Sequence, residues 1–316
     1  MLPNLIIIVG PTAVGKTAVG IQLAKLINGE VISGDSMQVY RMMDIGTAKP
    51  TREEMEGVPH HMLDVVDPDE DFTVAVFKTM VEQHIQAINV RGKMPILVGG
   101  TGLYIRSITD QMTYTSFAVD WEYRDKLMSL AREKGNEWLH SQLVEVDPVS
   151  AQRIHANDVR RIIRALEVFH FTGKTISKHQ QEDQEANGEP KYNLHMYGLT
   201  INREKLYKRI NLRVEKMIAN GLVEEVKGLL AKGYDTDLVA MGGLGYKEIV
   251  GYLQGKYSLP EAVALLQRNT RRFAKRQLTW FRGEKRITWL DMDNYQDAGG
   301  VAKEILQQVA GQLTTM

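Results

Sequence analysis

Residues 10–17 read Gly10-Pro11-Thr12-Ala13-Val14-Gly15-Lys16-Thr17, between an apolar run at 5–9 and a stretch with helical spacing. These residue types suit phosphate chemistry. Gly10 and Gly15 let the backbone curl so that successive N–H groups face inward. Lys16 reaches outer phosphate oxygens, and the Thr17 hydroxyl is placed to ligate Mg²⁺. The following helix aims its N-terminus at the same anion. The ligand class is therefore a polyphosphate, whose identity the loop leaves open.

Two further segments carry polar groups to the same rim. The first runs Ser33-Gly34-Asp35-Ser36-Met37-Gln38-Val39-Tyr40 and continues to Pro50. In open α/β sheets ligands sit beyond the carboxyl ends of the strands, so Asp35 is expected near the phosphates and Lys16. There a carboxylate can bind Mg²⁺ through water, act as a general base, or cap the next turn. The second segment is Gly99-Gly100-Thr101-Gly102, where glycines permit close backbone approach and Thr101 offers a hydroxyl.

Short β-rich runs at 5–9, 31–33, 62–66 and 95–98 alternate with helical patterns, which predicts an α/β fold with a parallel sheet flanked by crossover helices. The first helix places Val19, Leu23 and Leu26 on one face and stops at Asn28. The next, capped by Thr73, carries Phe77, Val81 and Ile88, with His84 at its edge. From 113 to 192 the pattern becomes mostly helical: 121–134, 136–145 and 158–171, the last capped by Asp158, then a polar surface loop at 180–191. We expect a catalytic core from 1–112 and 193–316, and a helical insertion domain at 113–192. Strands at 193–201 and 287–290 complete the sheet, and His60-His61 reads as structural.

The 316 residues are 43% hydrophobic and 25% charged, an ordinary globular composition. There is no cysteine, which excludes disulfides and thiolate metal sites. No apolar stretch approaches the roughly 18 residues of a membrane span. The first apolar run reads as a strand rather than a secretion signal, so a cytoplasmic protein without membrane association is expected, acting as a monomer. Lys and Arg total 39 against 39 for Asp and Glu, so any nucleic-acid contact must come from local patches.

Two such patches exist. Arg160, Arg161 and Arg164 lie opposite the apolar stripe Val159, Ile162, Ile163 and Leu166, which suits a solvated helix face as well as a contact surface. Residues 268–282 hold six cations, including Arg271, Arg272 and Arg276, and no acid, with Phe273, Trp280 and Phe281 interleaved. That concentration of charge points to nucleic-acid backbone, the alternative being a basic helix whose aromatics face the core.

GPTAVGKT, GDSMQVYRMMDIGTAKP, GVPHHMLDVVDP, LVGGTGLY, NDVRRIIRALEVF and TRRFAKRQLTWFR, in this order, resemble the tRNA dimethylallyltransferases of bacterial type. The resemblance covers most of the chain and implies a P-loop NTPase-like core, a nucleotide-binding fold similar to nucleotide kinases. It implies transfer of a dimethylallyl group from dimethylallyl diphosphate to N6 of the adenosine 3′ of the anticodon, in tRNAs reading codons that begin with U. It further implies Asp35 as general base, Thr101 beside it, and Arg213, with Lys16 and Mg²⁺, on the leaving diphosphate. Asp35, Ser36, Met37, Gln38, Thr101, Arg124 and the segment Arg160, Arg161, Ile162, Ile163, Arg164 would follow the tRNA anticodon stem-loop. Arg160 stands where the family often has Gln, and residues 241–247 are looser than the usual form of their block.

From the residues alone, a P-loop small-molecule kinase would explain the loop but not the Arg-rich C-terminal segment. An isopentenyltransferase acting on free adenine nucleotides would not need the insertion, and a nucleotide-gated RNA-binding module would not need Lys16, Thr17 and Asp35 together.

Overall fold

The computed structural model describes residues 2–110, 120–185 and 190–314. The chain divides into two compact units, Met1–Ile108 with Lys191–Met316, and Thr109–Pro190. The expected boundary at 112/113 lies outside the described residues.

The first unit begins with β1 (Asn4–Val9), α1 (Lys16–Ile27), β2 (Gly29–Ser33), β3 (His60–His61), α2 (Val74–Val90), β4 (Met94–Gly99) and α3 (Gly102–Thr109). Leu5, Ile6, Ile7, Ile8 and Val9 are all fully buried, because a central parallel strand is covered on both faces. Ile6 and Ile8 pack with α1, and Leu5, Ile7 and Val9 pack with α2 and α3. At ~1.5–3 kcal/mol for each buried side chain, this strand is a main anchor of the fold. α1 ends at Asn28 in a left-handed cap, and Thr73 caps α2 by accepting from the Val76 N–H at 3.3 Å. Leu26, expected on the buried face of α1, is instead exposed, and Ile21 and Ala24 take that face.

The strand expected at 62–66 is displaced. Pairing with β2 is confined to His60 and His61, because Met62 and Asp64 adopt positive φ and turn the chain away. Val66 makes one bridge to Tyr40.

The second unit holds α4 (Trp121–Lys134), α5 (Asn136–Val146), α6 (Pro148–Ala151), α7 (Val159–Thr172) and α8 (Ile176–Glu185) around Leu127, Leu139, Leu143, Ile162, Ile163 and Leu166. Asp158 stands at the N-terminus of α7, but its carboxylate makes no capping bond and pairs with Arg161 at 3.3 Å. Part of the loop expected at 180–191 is helix, up to Glu185. A polar helix can persist on side-chain pairs one turn apart, here Gln181 with Glu185, and Lys174, just before α8, pairs with Glu182. Residues 186–189 of that loop lie outside the described residues.

The chain returns to the first unit with β5 (Asn193–Thr200), α9 (Arg203–Ala219), α10 (Leu222–Ala231), α11 (Tyr246–Leu253), α12 (Leu259–Arg282), β6 (Ile287–Asp291) and α13 (Ala298–Thr314). The sheet is six-stranded and parallel, in the order β3-β2-β4-β1-β5-β6. The adjacency of β2, β4 and β1 has a direct result. The loops that follow these strands, carrying Asp35, Thr101 and Lys16, emerge side by side at one edge. Among the described residues no helix is long and apolar enough to cross a membrane.

Candidate active site

The loop after β1 folds as its glycines allow. Gly10 and Gly15 have φ of 147° and 113°, Ala13 also adopts positive φ, and the Val14 N–H reaches Pro11 O at 3.4 Å. Val14 is fully buried and pins the loop to the core. Lys16 donates from Nζ to Pro11 O at 2.9 Å, which folds its ammonium back over the loop. Thr17 is exposed at the start of α1.

Asp35 lies two residues beyond β2 and is half-buried. Its Oδ1 accepts from the Met37 N–H at 2.8 Å, so the turn-capping role is real, and a further backbone bond comes from Gln38. Burial raises the Asp35 carboxyl above the usual range, opposed by these bonds and by the positive charges of Lys16 and Arg213. Burial lowers the Lys16 ammonium to about 8; Asp35 acts to raise it and Arg213 to lower it further. Arg213 is lowered by burial, against the attraction of Glu54 and Asp35. The three groups therefore feel one another's charge within a single site. Thr101 joins it from the loop after β4, accepting from the Ser36 N–H at 3.3 Å and donating to Ser36 Oγ at 3.4 Å. Gln38 turns inward, accepting from Ser33 Oγ at 2.9 Å and donating to Ala48 O at 3.2 Å.

A cleft of about 710 Å³ opens beside Lys16 and Thr17. Its far wall is α9, which contributes Arg209, Arg213 and Lys216 at helical spacing. Arg209 donates to Val14 O at 3.1 Å and so holds the phosphate loop directly. Sequence reasoning passed over Arg209, although its spacing from Arg213 and Lys216 is a readable cationic stripe. Opposite stand Ala48, Lys49 and Glu54. Lys49 is 5% exposed and bridges Asp44 and Asp64, both at 2.6 Å, which fixes the segment running on from Asp35.

Glu225 was also missed. It accepts from the N–H groups of Asp44, Ile45 and Gly46 at 3.0, 2.8 and 3.1 Å, and from the Tyr246 hydroxyl at 2.7 Å. Tyr246 is fully buried against Gly46, where a Cβ would lie 2.5 Å from its ring. The block at 241–247 thus buttresses the Asp35 segment from behind.

In the helical unit, Arg160 and Arg161 are exposed on α7, whereas Ile162 and Ile163 lie in the core. Arg124 and Arg164 converge on Glu167, which is fully buried. Arg124 binds both its oxygens at 2.8 Å, Arg164 donates to Oε2 at 2.6 Å, and the Asp120 N–H adds a bond at 3.3 Å. On α12, Arg268, Arg272, Lys275, Arg276 and Arg282 are exposed and share one face. Arg271 turns aside and donates to Asn211 Oδ1 at 2.6 Å. The opposite face buries Leu266, Ala274, Gln277 and Phe281; of the three interleaved aromatics Phe281 faces the core, Phe273 is half-buried and Trp280 is exposed.

Among the described residues no three His, Cys, Asp or Glu side chains come together to hold a metal. Thr17, exposed beside Lys16 at the start of α1, is the hydroxyl that a phosphate-bound Mg²⁺ would use, the other ligands coming from phosphate and water.

The family described as IPP transferase matches residues 38–284. The chain is 54% identical over 315 residues to the tRNA dimethylallyltransferase of Carboxydothermus hydrogenoformans, spanning 100% of this chain and 97% of that one. The fold is similar to the tRNA isopentenylpyrophosphate transferase of Bacillus halodurans, with a TM-score of 0.74, 47% identity and coverage of 99% and 97% of the two chains. It is also similar to a eukaryotic dimethylallyltransferase acting on tRNA, with a TM-score of 0.84 and 31% identity, covering 99% of this chain and 80% of that one.

Proposed function

The chain belongs to the IPP transferase family of tRNA dimethylallyltransferases, and on that premise we propose that it transfers a dimethylallyl group from dimethylallyl diphosphate to N6 of the adenosine 3′ of the anticodon, in tRNAs reading codons that begin with U. The observation that carries this reading is the placement of Lys16 and Arg213 on one cleft beside the phosphate loop, with Asp35 in the turn after β2 near enough to feel both charges. It provides cations for a leaving diphosphate and a carboxylate for an incoming amine.

In the reaction the bond between N6 and the allylic carbon forms as the bond from that carbon to the diphosphate oxygen breaks. The electron pair leaves with the diphosphate, and one amine proton passes to the Asp35 carboxylate. The adenine amine is a poor nucleophile because its lone pair is delocalised into the ring, so removing its proton as the bond forms lowers the barrier. Lys16 and Arg213 stabilise the charge that grows on the diphosphate, and the N-terminus of α1, at Lys16 and Thr17, adds to this. Thr17 and the diphosphate oxygens would hold Mg²⁺, which supplies further charge neutralisation. Arg209 keeps the loop in shape while Arg213 meets the ligand.

The acceptor adenosine sits in a single-stranded loop, from which a base can be splayed out at lower cost than from a duplex. The exposed face of α12 and the exposed Arg160 and Arg161 of α7 each suit RNA phosphates. Arg124 and Arg164 act chiefly on Glu167, and Ile162 and Ile163 support the helix that carries the arginines. A cytoplasmic, monomeric enzyme fits this role. Incubation with labelled dimethylallyl diphosphate and unmodified tRNA, with ATP and AMP as alternative substrates, tests the reading. Label in tRNA supports it, while label in AMP or phosphate transfer from ATP would replace it.

A further inference from the structure

Gln277 is 6% exposed and lies on the apolar face of α12, where the helical period calls for a hydrocarbon side chain. Both ends of its amide are used. Oε1 accepts from the Thr12 N–H at 2.8 Å, and Nε2 donates to Gly100 O at 2.9 Å. Gly100 is pressed against the Gln277 amide so closely that a Cβ there would collide with Nε2.

Thr12 and Gly100 follow β1 and β4, whose paired register ends at Val9 and Gly99. Beyond that point the two backbones diverge, one into the phosphate loop and the other toward Thr101. An amide has the one donor and one acceptor needed to bridge an N–H on one strand and a C=O on the next. The Gln277 side chain thus extends the β1–β4 pairing past its last register pair. Thr101, the next residue, contacts Ser36 beside Asp35. A chain of bonds therefore runs from the diphosphate cradle through Gln277 and Thr101 to the Asp35 segment.

We infer that Gln277 is a positioning residue for the transfer: it sets the distance between the phosphate loop and the rim that carries Thr101 and Asp35, and so the approach of the amine to the allylic carbon. This rests on the proposed function. Its effect belongs in kcat, because reacting groups displaced by about 1 Å can lose ~100-fold in rate while each substrate still binds.

The test is Gln277→Met, which keeps helix and volume but removes both bonds, in the labelled transfer assay with full-length protein. The expected result is a kcat ~10–100-fold lower, tRNA Kd within about twofold of wild type, and a folded protein at the assay temperature. A folded Gln277→Met with kcat within about twofold of wild type, or with the loss confined to tRNA affinity, overturns the inference. Gln277→Glu provides a second readout. Its carboxylate still accepts from Thr12 but cannot donate to Gly100 until protonated. Its kcat relative to wild type at the same pH should therefore rise as pH falls from 8 to 6, and a flat ratio in a folded variant counts against the inference. If neither variant folds, Gln277 is a stability determinant and the inference fails. Absence of transfer by the wild-type protein would instead refute the proposed function, so the two failures are distinguishable.

Discussion

Replacing Arg124 by Ala removes two of the bonds, both 2.8 Å, that hold the fully buried Glu167 carboxylate. Breaking a buried ion pair by deleting one partner costs ~3–5 kcal/mol, because the remaining charge stays out of water. Arg164 at 2.6 Å and the Asp120 N–H remain, which places the cost at the lower end, about 3 kcal/mol. For a unit the size of Thr109–Pro190, that corresponds to a fall of roughly 12–24 °C in the melting temperature of the helical unit. Calorimetry measures it. The double variant Arg124→Met, Glu167→Met removes the stranded charge and should recover most of the loss. Binding of tRNA, measured where the unit is still folded, should change much less than stability. Wild-type melting of Arg124→Ala, together with a large loss of tRNA affinity, would refute the reasoning and make Arg124 a direct RNA contact.

Lys16→Ala and Arg213→Ala should each weaken use of the diphosphate donor and leave tRNA Kd nearly unchanged; loss of tRNA binding with normal donor affinity contradicts the division of roles. In the wild type, kcat/KM for the donor should fall as pH rises through about 8, where Lys16 in the free enzyme gives up its proton. Changing Arg268, Arg272 and Arg276 together to Gln should flatten the salt dependence of tRNA binding, by about 1 in slope for each arginine that pairs with an RNA phosphate, while melting temperature stays near wild type. An unchanged slope would remove α12 from the RNA surface. Glu30 supplies a pH test of the core. Burial pushes its carboxyl up, but bonds from Lys93, His61 and Arg91 outweigh this and leave it at about 2. Because the folded value is depressed, the stabilisation is full above the ordinary value of 4.5 and is lost as pH falls from there toward 2. Urea unfolding between these limits should lose about 3 kcal/mol from this group, and Glu30→Gln should abolish that slope.

The parts of the site that lie together along the chain are legible in the sequence. The phosphate loop needs only eight residues and its flanking strand and helix, and Asp35 follows a strand whose end faces the same rim. The residues that hold these parts in place are far apart in sequence: Gln277 reaches Thr12, Glu225 reaches Gly46, and Arg124 reaches Glu167. Each leaves a local trace, a polar side chain where helical spacing calls for an apolar one, as with Gln277 beside Ala274 and Phe281, or Glu167 between Leu166 and Val168. That trace marks a buried polar group that must have a partner, but it does not name the partner. The two-residue β3 was misplaced for a related reason. The apolar run after His61 suggested a strand, whereas the positive φ of Met62 and Asp64 bends it out of the sheet.

The central claim is that Asp35 takes the proton from the amine as the new bond forms. Asp35→Asn is the most direct test, since an amide oxygen can still accept from the Met37 N–H and preserve the turn while no longer accepting a proton. Single-turnover transfer from labelled dimethylallyl diphosphate to saturating tRNA should fall ~10²–10⁴-fold, with the affinities for donor and tRNA each close to wild type. A folded Asp35→Asn protein that transfers at the wild-type rate would contradict the account.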